Sequence, residues 1–141
     1  MAKKELNDTL IEGLNEDMNL ELEAVLRYLY HASTATGLLG HELRELLKAD
    51  IPGELNHAIF LADKIAALGG ELQIQVQMPK KVKTAKQMME IDIEAERRSI
   101  ANYMERIKQA EEFGDRGLAI RLEDILSEET DHAEELERLN R

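Results

Sequence analysis

The chain has 141 residues and no cysteine, which excludes disulfide bonds, thiolate metal sites and thiol catalysis. Its formal net charge of −11 argues against nucleic acid as a partner, because phosphate binding requires clustered cations. It has no apolar run of about 18 residues that would span a membrane, and residues 1–5 lack the apolar core of a signal peptide. We therefore expect one cytoplasmic domain that covers residues 1–141.

Four helices are predicted in chain order, because the chain is rich in strong helix formers and has only 2 prolines. Helix A covers roughly residues 5–36 and ends near Gly37. Helix B covers 41–68 and stops at Gly69 and Gly70, which favour a helix C-terminus. Helix C begins after Thr84, whose capping partner is Gln87, and ends near residue 113. Helix D follows the predicted N-cap Asp115 and ends near residue 139.

The connections between the helices predict the topology. Residues 37–40 join helices A and B, and about two residues join C and D, so each pair forms an antiparallel hairpin. The 14 residues from Gly70 to Lys83 could extend about 45 Å, enough to cross the whole bundle. Residues 73–78 alternate like a strand without an evident partner, which indicates an extended crossover. The predicted fold is an all-α antiparallel four-helix bundle with ferritin-like connectivity.

The sequence contains the motif Glu-x-x-His twice, at 54–57 and at 129–132. Each motif has another glutamate 33 positions before its own glutamate, Glu21 in the first case and Glu96 in the second. This is the ligand set of two-metal carboxylate sites in helical bundles. We therefore predict a metal site formed by the residues of both patterns: Glu21, Glu54, His57, Glu96, Glu129 and His132.

Helical spacing supports the site. A single Glu-x-x-His would be an ordinary coincidence or a surface contact in so acidic a chain. Here steps of three and four positions place all the predicted ligands on the inward faces of the helices, near their middles. The neighbouring acids Glu23, Glu94 and Glu128 lie one or two positions away from those faces, so we expect them to point elsewhere.

Charge balance indicates what the cluster binds. Four buried carboxylates are unfavourable without protons or cations, and Lys64 is the one cation on the predicted inward faces. Two divalent ions would balance the four charges. Glutamate and neutral histidine suit iron or manganese.

The remaining histidines and two tyrosines have weaker signals. His31 and His41 are expected to be surface or interface residues. Tyr28 and Tyr103 lie on inward faces, two turns after Glu21 and Glu96, where most tyrosines are packing residues. Tyr28 is also a candidate one-electron donor to the metals.

Three segments resemble the bacterioferritin and Dps-like branch of the ferritin superfamily: residues 19–32, with their Glu, Tyr and His; residues 54–58; and residues 128–132. The resemblance implies that Glu21 and Glu96 are terminal ligands, that Glu54 and Glu129 bridge two irons, and that each iron takes one histidine. It also implies ferroxidase chemistry, in which Fe(II) is oxidised by dioxygen or hydrogen peroxide and stored as ferric mineral.

The chain departs from this family in three respects. Haem-binding bacterioferritins have Met at the position of Leu55, so no haem is expected. Shell-forming 24-subunit members usually carry a short fifth helix, and here only seven residues follow Glu134, so we expect a 12-mer or a smaller assembly rather than such a shell. Rubrerythrins add a cysteine-rich iron domain, which a chain without cysteine cannot form.

Two other functions stay open at this point. One is a rubrerythrin-like di-iron or di-manganese peroxidase or oxidoreductase that does not store metal. The other is a metal-free bundle that acts only by interaction. A second apolar row on helices A and B also predicts a two-fold homodimer through those helices, formed by Leu22, Leu26, Leu29, Tyr30, Ile59 and Phe60.

Overall fold

A computed structural model describes residues 2–141 and contains four helices. They are α1 (Lys3–Thr34), α2 (Gly37–Ala67), α3 (Ala85–Phe113) and α4 (Arg116–Leu139). Side chains pair across α1 and α3 in reverse order, Tyr28 with Glu96 and Asp17 with Arg106, so these two helices are antiparallel. The predicted all-α four-helix bundle is confirmed.

Local capping explains where α3 and α4 begin. The Thr84 side chain accepts from the Gln87 amide at 3.1 Å, and the Gln87 side chain accepts from the Thr84 amide in return. Asp115 accepts from the Leu118 amide at 3.0 Å at the start of α4. Each cap satisfies helical N–H groups that have no partner within the helix, as the sequence predicted.

The connection between α1 and α2 is shorter than predicted. Residues 37–40 form the first turn of α2, and only residues 35–36 lie between the helices. Gly37 has φ +80°, and a Cβ added at Gly40 would lie 2.9 Å from the Ala35 carbonyl carbon. The glycines therefore allow a very tight reversal of the chain. The sequence pattern predicts a loop over these residues instead.

The crossover between α2 and α3 is extended, as predicted, and is held along α1 by side chains. Asn15 and Asn19 each donate to one crossover carbonyl and accept from one crossover amide, at distances of 2.8–3.0 Å. One turn further, Glu23 accepts from the Gln77 amide at 3.2 Å. These side chains take the place of a partner strand and direct the crossover to the start of α3.

Two apolar clusters fill the two ends of the bundle. One is built on Leu10, Leu14, Leu61 and Leu122, and the other on Leu43, Leu47, Met88 and Met89, all of which are almost completely buried. A belt of buried acidic and histidine side chains separates the clusters at mid-height. Within residues 2–141 no helix is long and apolar enough to cross a membrane.

Candidate metal centre

The polar belt contains all six predicted ligands, which the structure brings together at the centre of the bundle. They form two groups, each with ligand atoms within 4.8 Å of one another. One group is Glu21, Glu54, His57 and Glu129, and the other is Glu54, Glu96, Glu129 and His132. Glu54 and Glu129 therefore belong to both groups. Each helix contributes because the ligands lie near its middle, where the inward faces meet.

Burial leaves several ligand atoms of this cluster without partners. The four glutamates are at most 2% exposed, and His57 is 6% exposed. Among the described residues, Glu21 Oε2, Glu54 Oε1, Glu96 Oε2 and His132 Nδ1 are buried and make no hydrogen bond. A buried polar group without a partner is costly, so these converging atoms fit a site that binds cations.

Both imidazoles turn Nδ1 toward the carboxylates. His57 Nδ1 lies 3.0 Å from Glu129 Oε1 and 3.4 Å from Glu21 Oε2. His132 Nδ1 lies 2.8 Å from Glu54 Oε1, in a poor orientation for a hydrogen bond. Each ring thus directs Nδ1 toward the centre of the cluster and Nε2 toward the edge of the cluster.

The outer nitrogens contact two further acids. His132 Nε2 lies 3.5 Å from Asp50, and His57 Nε2 contacts Glu128. The prediction that Glu128 points elsewhere was wrong. Glu128 is beside the inward face of α4, and its long side chain, 58% exposed, reaches back to the ring edge. A carboxylate on the outer nitrogen of a ligand histidine orients the ring and fixes its tautomer.

The two buried tyrosines each connect α1 with α3 across the site. Tyr103 on α3 donates to Glu21 Oε1 on α1 at 2.6 Å. Tyr28 on α1 donates to Glu96 on α3. Each hydroxyl therefore fixes a glutamate on the opposite helix.

In the metal-free protein, the pKa values of the cluster favour protonation of two of its glutamates. Burial, followed by the neighbouring carboxylates, raises the pKa of Glu21 and of Glu96 well above the ordinary value. Burial opposes ionisation of Glu129 and His132 as well, but their mutual contacts and those with other site residues outweigh it. The pKa of Glu129 falls well below its ordinary value, and the pKa of His132 rises to about 11.

Two buried ion pairs flank the cluster on the α1–α3 side, and sequence reasoning missed both. Arg106 donates to Asp17, and Arg27 donates to Asp92, which also has His31 Nδ1 at 2.8 Å. The expectation that His31 is a surface or interface residue was wrong, because it is 1% exposed, whereas His41 is exposed. Lys64, the one cation expected on the inward faces, instead pairs with Asp115 at one end of the bundle.

A repeat in the sequence could have indicated the acidic member of each pair. Asp17 lies four positions before Glu21, and Asp92 lies four before Glu96, so each terminal glutamate has an acid one turn earlier on the same face. The two halves of the chain repeat at a spacing of 75 positions, which relates Asp17 to Asp92.

Comparison with known proteins agrees with this architecture. A sequence model of the ferritin-like domain matches residues 11–141. The chain belongs to the ferritin-like family. No curated protein matches it. Among solved structures, a protein from Bacillus anthracis str. Ames described as ferritin like and diiron-carboxylate is 34% identical to this ferritin-like chain. The alignment covers 100% of both chains with a TM-score of 0.93.

Two further solved structures resemble this ferritin-like chain. The bacterioferritin of Desulfovibrio desulfuricans is 26% identical, with a TM-score of 0.89, over 99% of this chain and 82% of that one. Dps from Thermosynechococcus elongatus is 19% identical, with a TM-score of 0.93, over 100% of this chain and 96% of that one, and it shows the shared fold alone.

Proposed function

We propose that this protein is a di-iron ferroxidase that oxidises Fe(II) with dioxygen or hydrogen peroxide for iron storage or detoxification. The observation that carries the proposal is the pair of donor groups that share Glu54 and Glu129. Similarity to a diiron-carboxylate protein and to a bacterioferritin supports iron as the metal. Manganese suits the same donors, so the choice of iron rests on these relatives.

The donor groups assign a role to each residue. Glu21 with His57 would hold one iron, Glu96 with His132 the other, and Glu54 and Glu129 would be shared between them. Two divalent ions would balance four carboxylates, and the orphaned atoms of the cluster would gain partners. Nothing in this role needs Leu55, which is 42% exposed on α2 and offers no axial ligand for haem.

Bound iron would supply the electrons that reduce the oxidant, one from each of two neighbouring ions. The protein's own part is to hold and release protons. Glu21 and Glu96, whose pKa values are raised, would give up their protons as Fe(II) binds. Tyr28, buried and hydrogen-bonded to Glu96, would be placed to donate a further electron.

The protein would act as a homo-oligomer built from two-fold dimers through α1 and α2. Leu29 and Ile59 are each more than half exposed on these helices. Leu29 also lines an apolar groove that runs from α1 to the crossover, together with Leu26, Tyr30, Ser33, Met78, Pro79 and Lys81. Exposed apolar patches of this kind usually mark interfaces.

Stopped-flow absorbance after Fe(II) addition in the presence of dioxygen tests the proposal. We expect the wild type to oxidise Fe(II) much faster than buffer and to keep the product soluble. Glu96→Ala should reduce the rate by roughly a hundredfold, because a terminal ligand is lost. Glu94→Ala, two positions away on the same helix and exposed, should match the wild type. Tyr28→Phe should keep the bound metal but slow the reaction, and an unchanged rate would reject its donor role.

Native mass and metal content separate the alternatives. A large closed assembly that accumulates iron supports storage. Rapid peroxide consumption by a dimer that retains only two metals per chain would instead favour the rubrerythrin-like peroxidase. Equal rates for the wild type, Glu96→Ala and buffer would reject ferroxidase activity.

A further inference from the structure

A buried ion pair lies beside each terminal glutamate of the site. On one side, Arg106 of α3 holds Asp17 of α1 with two hydrogen bonds, Nε to Oδ2 at 2.8 Å and Nη2 to Oδ1 at 3.2 Å. The side chains are 5% and 0% exposed, respectively. Asp17 lies one turn before Glu21, and Arg106 lies three positions after Tyr103, which donates to Glu21. This ion pair therefore sits directly beside the Tyr103–Glu21 bond.

The other half of the site has the same arrangement with different residues. Asp92 of α3 is held by two groups of α1, with His31 Nδ1 at 2.8 Å and Arg27 Nε at 2.9 Å. Asp92 lies one turn before Glu96, and His31 lies three positions after Tyr28, which donates to Glu96. The repeat of 75 positions relates Asp17 to Asp92 and His31 to Arg106.

Gly13 provides the space that the Arg106 guanidinium needs. A Cβ added at Gly13 would lie 1.9 Å from Arg106 Nη1 and 2.1 Å from Cζ. Arg106 cannot easily move aside, because Asp17 and Gln109 bind its guanidinium and it is 4% exposed. The position related to Gly13 by the repeat is Met88, which is buried in the half that has the smaller His31.

We propose that Asp17 and Arg106, in the space left by Gly13, position Glu21 for one metal ion, and that Asp92 with His31 and Arg27 positions Glu96 for the other. The proposal rests on the proposed two-metal site. The two ion pairs fix α1 against α3 on either side of the cluster, so that each tyrosine hydroxyl stays within reach of its glutamate.

Since each ion pair flanks one terminal glutamate, disturbing one pair should weaken the binding of one metal ion and leave the binding of the other unchanged. This distinguishes a positioning role from a general effect on stability, which would weaken the binding of both metal ions together. Single-ion proteins make the difference measurable. His132→Ala should retain only the position that contains Glu21 and His57, and His57→Ala only the position that contains Glu96 and His132.

The test is an anaerobic titration with Co(II), followed by its visible absorption. In the His132→Ala protein, Gly13→Ala should weaken Co(II) binding by roughly tenfold or more, as the loss of outer-shell partners does elsewhere. In the His57→Ala protein, the same substitution should change the affinity by less than about twofold. Gly53→Ala is the matched control, because it adds a Cβ one position before Glu54 but into open space.

A compensating substitution adds a rescue test. Arg106→His in the Gly13→Ala protein replaces the large cation with the residue that occupies the related position, and should restore most of the lost affinity. If Gly13→Ala does not fold, Asp92→Asn provides the reciprocal measurement, and should weaken Co(II) binding in the His57→Ala protein only.

Three results would overturn the proposal: unchanged Co(II) affinity in Gly13→Ala, equal weakening of both positions, or Asp92→Asn acting on the wrong position. A wild-type protein that binds no Co(II) would instead reject the two-metal site itself. The two failures are therefore distinguishable.

Discussion

Individual residues of the site are governed by burial and by neighbouring charges. Protonation of Glu21 and Glu96 is favoured in the metal-free cluster, because burial and nearby carboxylates raise their pKa values. Outside the ligand set, burial also raises the pKa of Asp17 from 3.8 to about 6, although Arg106 opposes the change. Protons therefore compensate carboxylate charge that bound cations would compensate in the metal-loaded protein.

These shifts predict how the stability of the metal-free protein depends on pH. A carboxyl group with a raised folded-state pKa contributes stability below its unfolded pKa and loses that contribution as pH rises through its folded pKa. Asp17, Glu21 and Glu96 all act in this sense. His132, raised from 6.5 to about 11, also loses its contribution as pH rises above 6.5. The lowered pKa of Glu129 acts only near and below its ordinary value of 4.5.

We therefore expect the free energy of unfolding, measured with urea and a chelator, to fall from about pH 5 to about pH 8. The control is the double variant Glu21→Gln and Glu96→Gln, which cannot ionise at these positions and should show a flatter dependence. A metal-free wild type that becomes more stable across this range would contradict the assignment. Added Co(II) should restore stability at the higher pH, because metal binds the deprotonated form.

At the scale of elements, the crossover depends on α1 rather than on its own structure. Asn15, Asn19 and Glu23 are spaced one turn apart, and successive turns of α1 match alternate residues of the extended chain. Four helical residues rise about 6.0 Å, and two extended residues cover about 6.6 Å, so the two periods nearly coincide over this short stretch.

Removing one of these side chains should loosen the crossover without disturbing the core. Asn19→Ala deletes the bond to the Gln73 carbonyl at 2.8 Å and the bond from the Gln75 amide at 2.9 Å. We expect faster hydrogen exchange near these residues and a loss of about 1 kcal/mol of stability. Asn102→Ala, which removes one exposed bond to Glu16, is the control. Unchanged exchange in Asn19→Ala would show that the crossover is held by other contacts.

At the scale of the whole molecule, the exposed apolar side chains are unevenly distributed. The groove along α1 continues onto the crossover, where Ile74 and Met78 are also well exposed. On the opposite hairpin, Ile120 of α4 is 48% exposed but does not line this groove. In the proposed dimer, the side of the bundle that carries this groove would meet the second copy.

We expect Leu29→Glu to convert the proposed dimer into a folded monomer, since it places a charge on a residue that is 56% exposed in the isolated chain. Ile120→Glu, a similar change at a similarly exposed position, should leave the dimer intact. Analytical ultracentrifugation at micromolar concentration measures both. A wild type that sediments as a monomer would contradict the dimer, and dissociation by Ile120→Glu alone would place the interface on α4.

Helical periodicity and spacing in the sequence by themselves determined the bundle, its long crossover and the identity of the six clustered side chains. Periodicity assigns each residue to a face of its own helix, and Glu21, Glu54, Glu96 and Glu129 all lie on inward faces. Capping chemistry likewise predicted the start of α3 at Thr84, because that bonding is local.

Only the tertiary structure decided which side chains meet across helices. A sequence does not fix the axial register of α1 against α3, so it could not show that Tyr28 reaches Glu96 or that Arg106 reaches Asp17. Long side chains also reach around a helix, as Glu128 does toward His57, and faces alone do not capture this. For the same reason, the sequence could not show that His31 is buried, since its partner Asp92 lies 61 positions away in the chain.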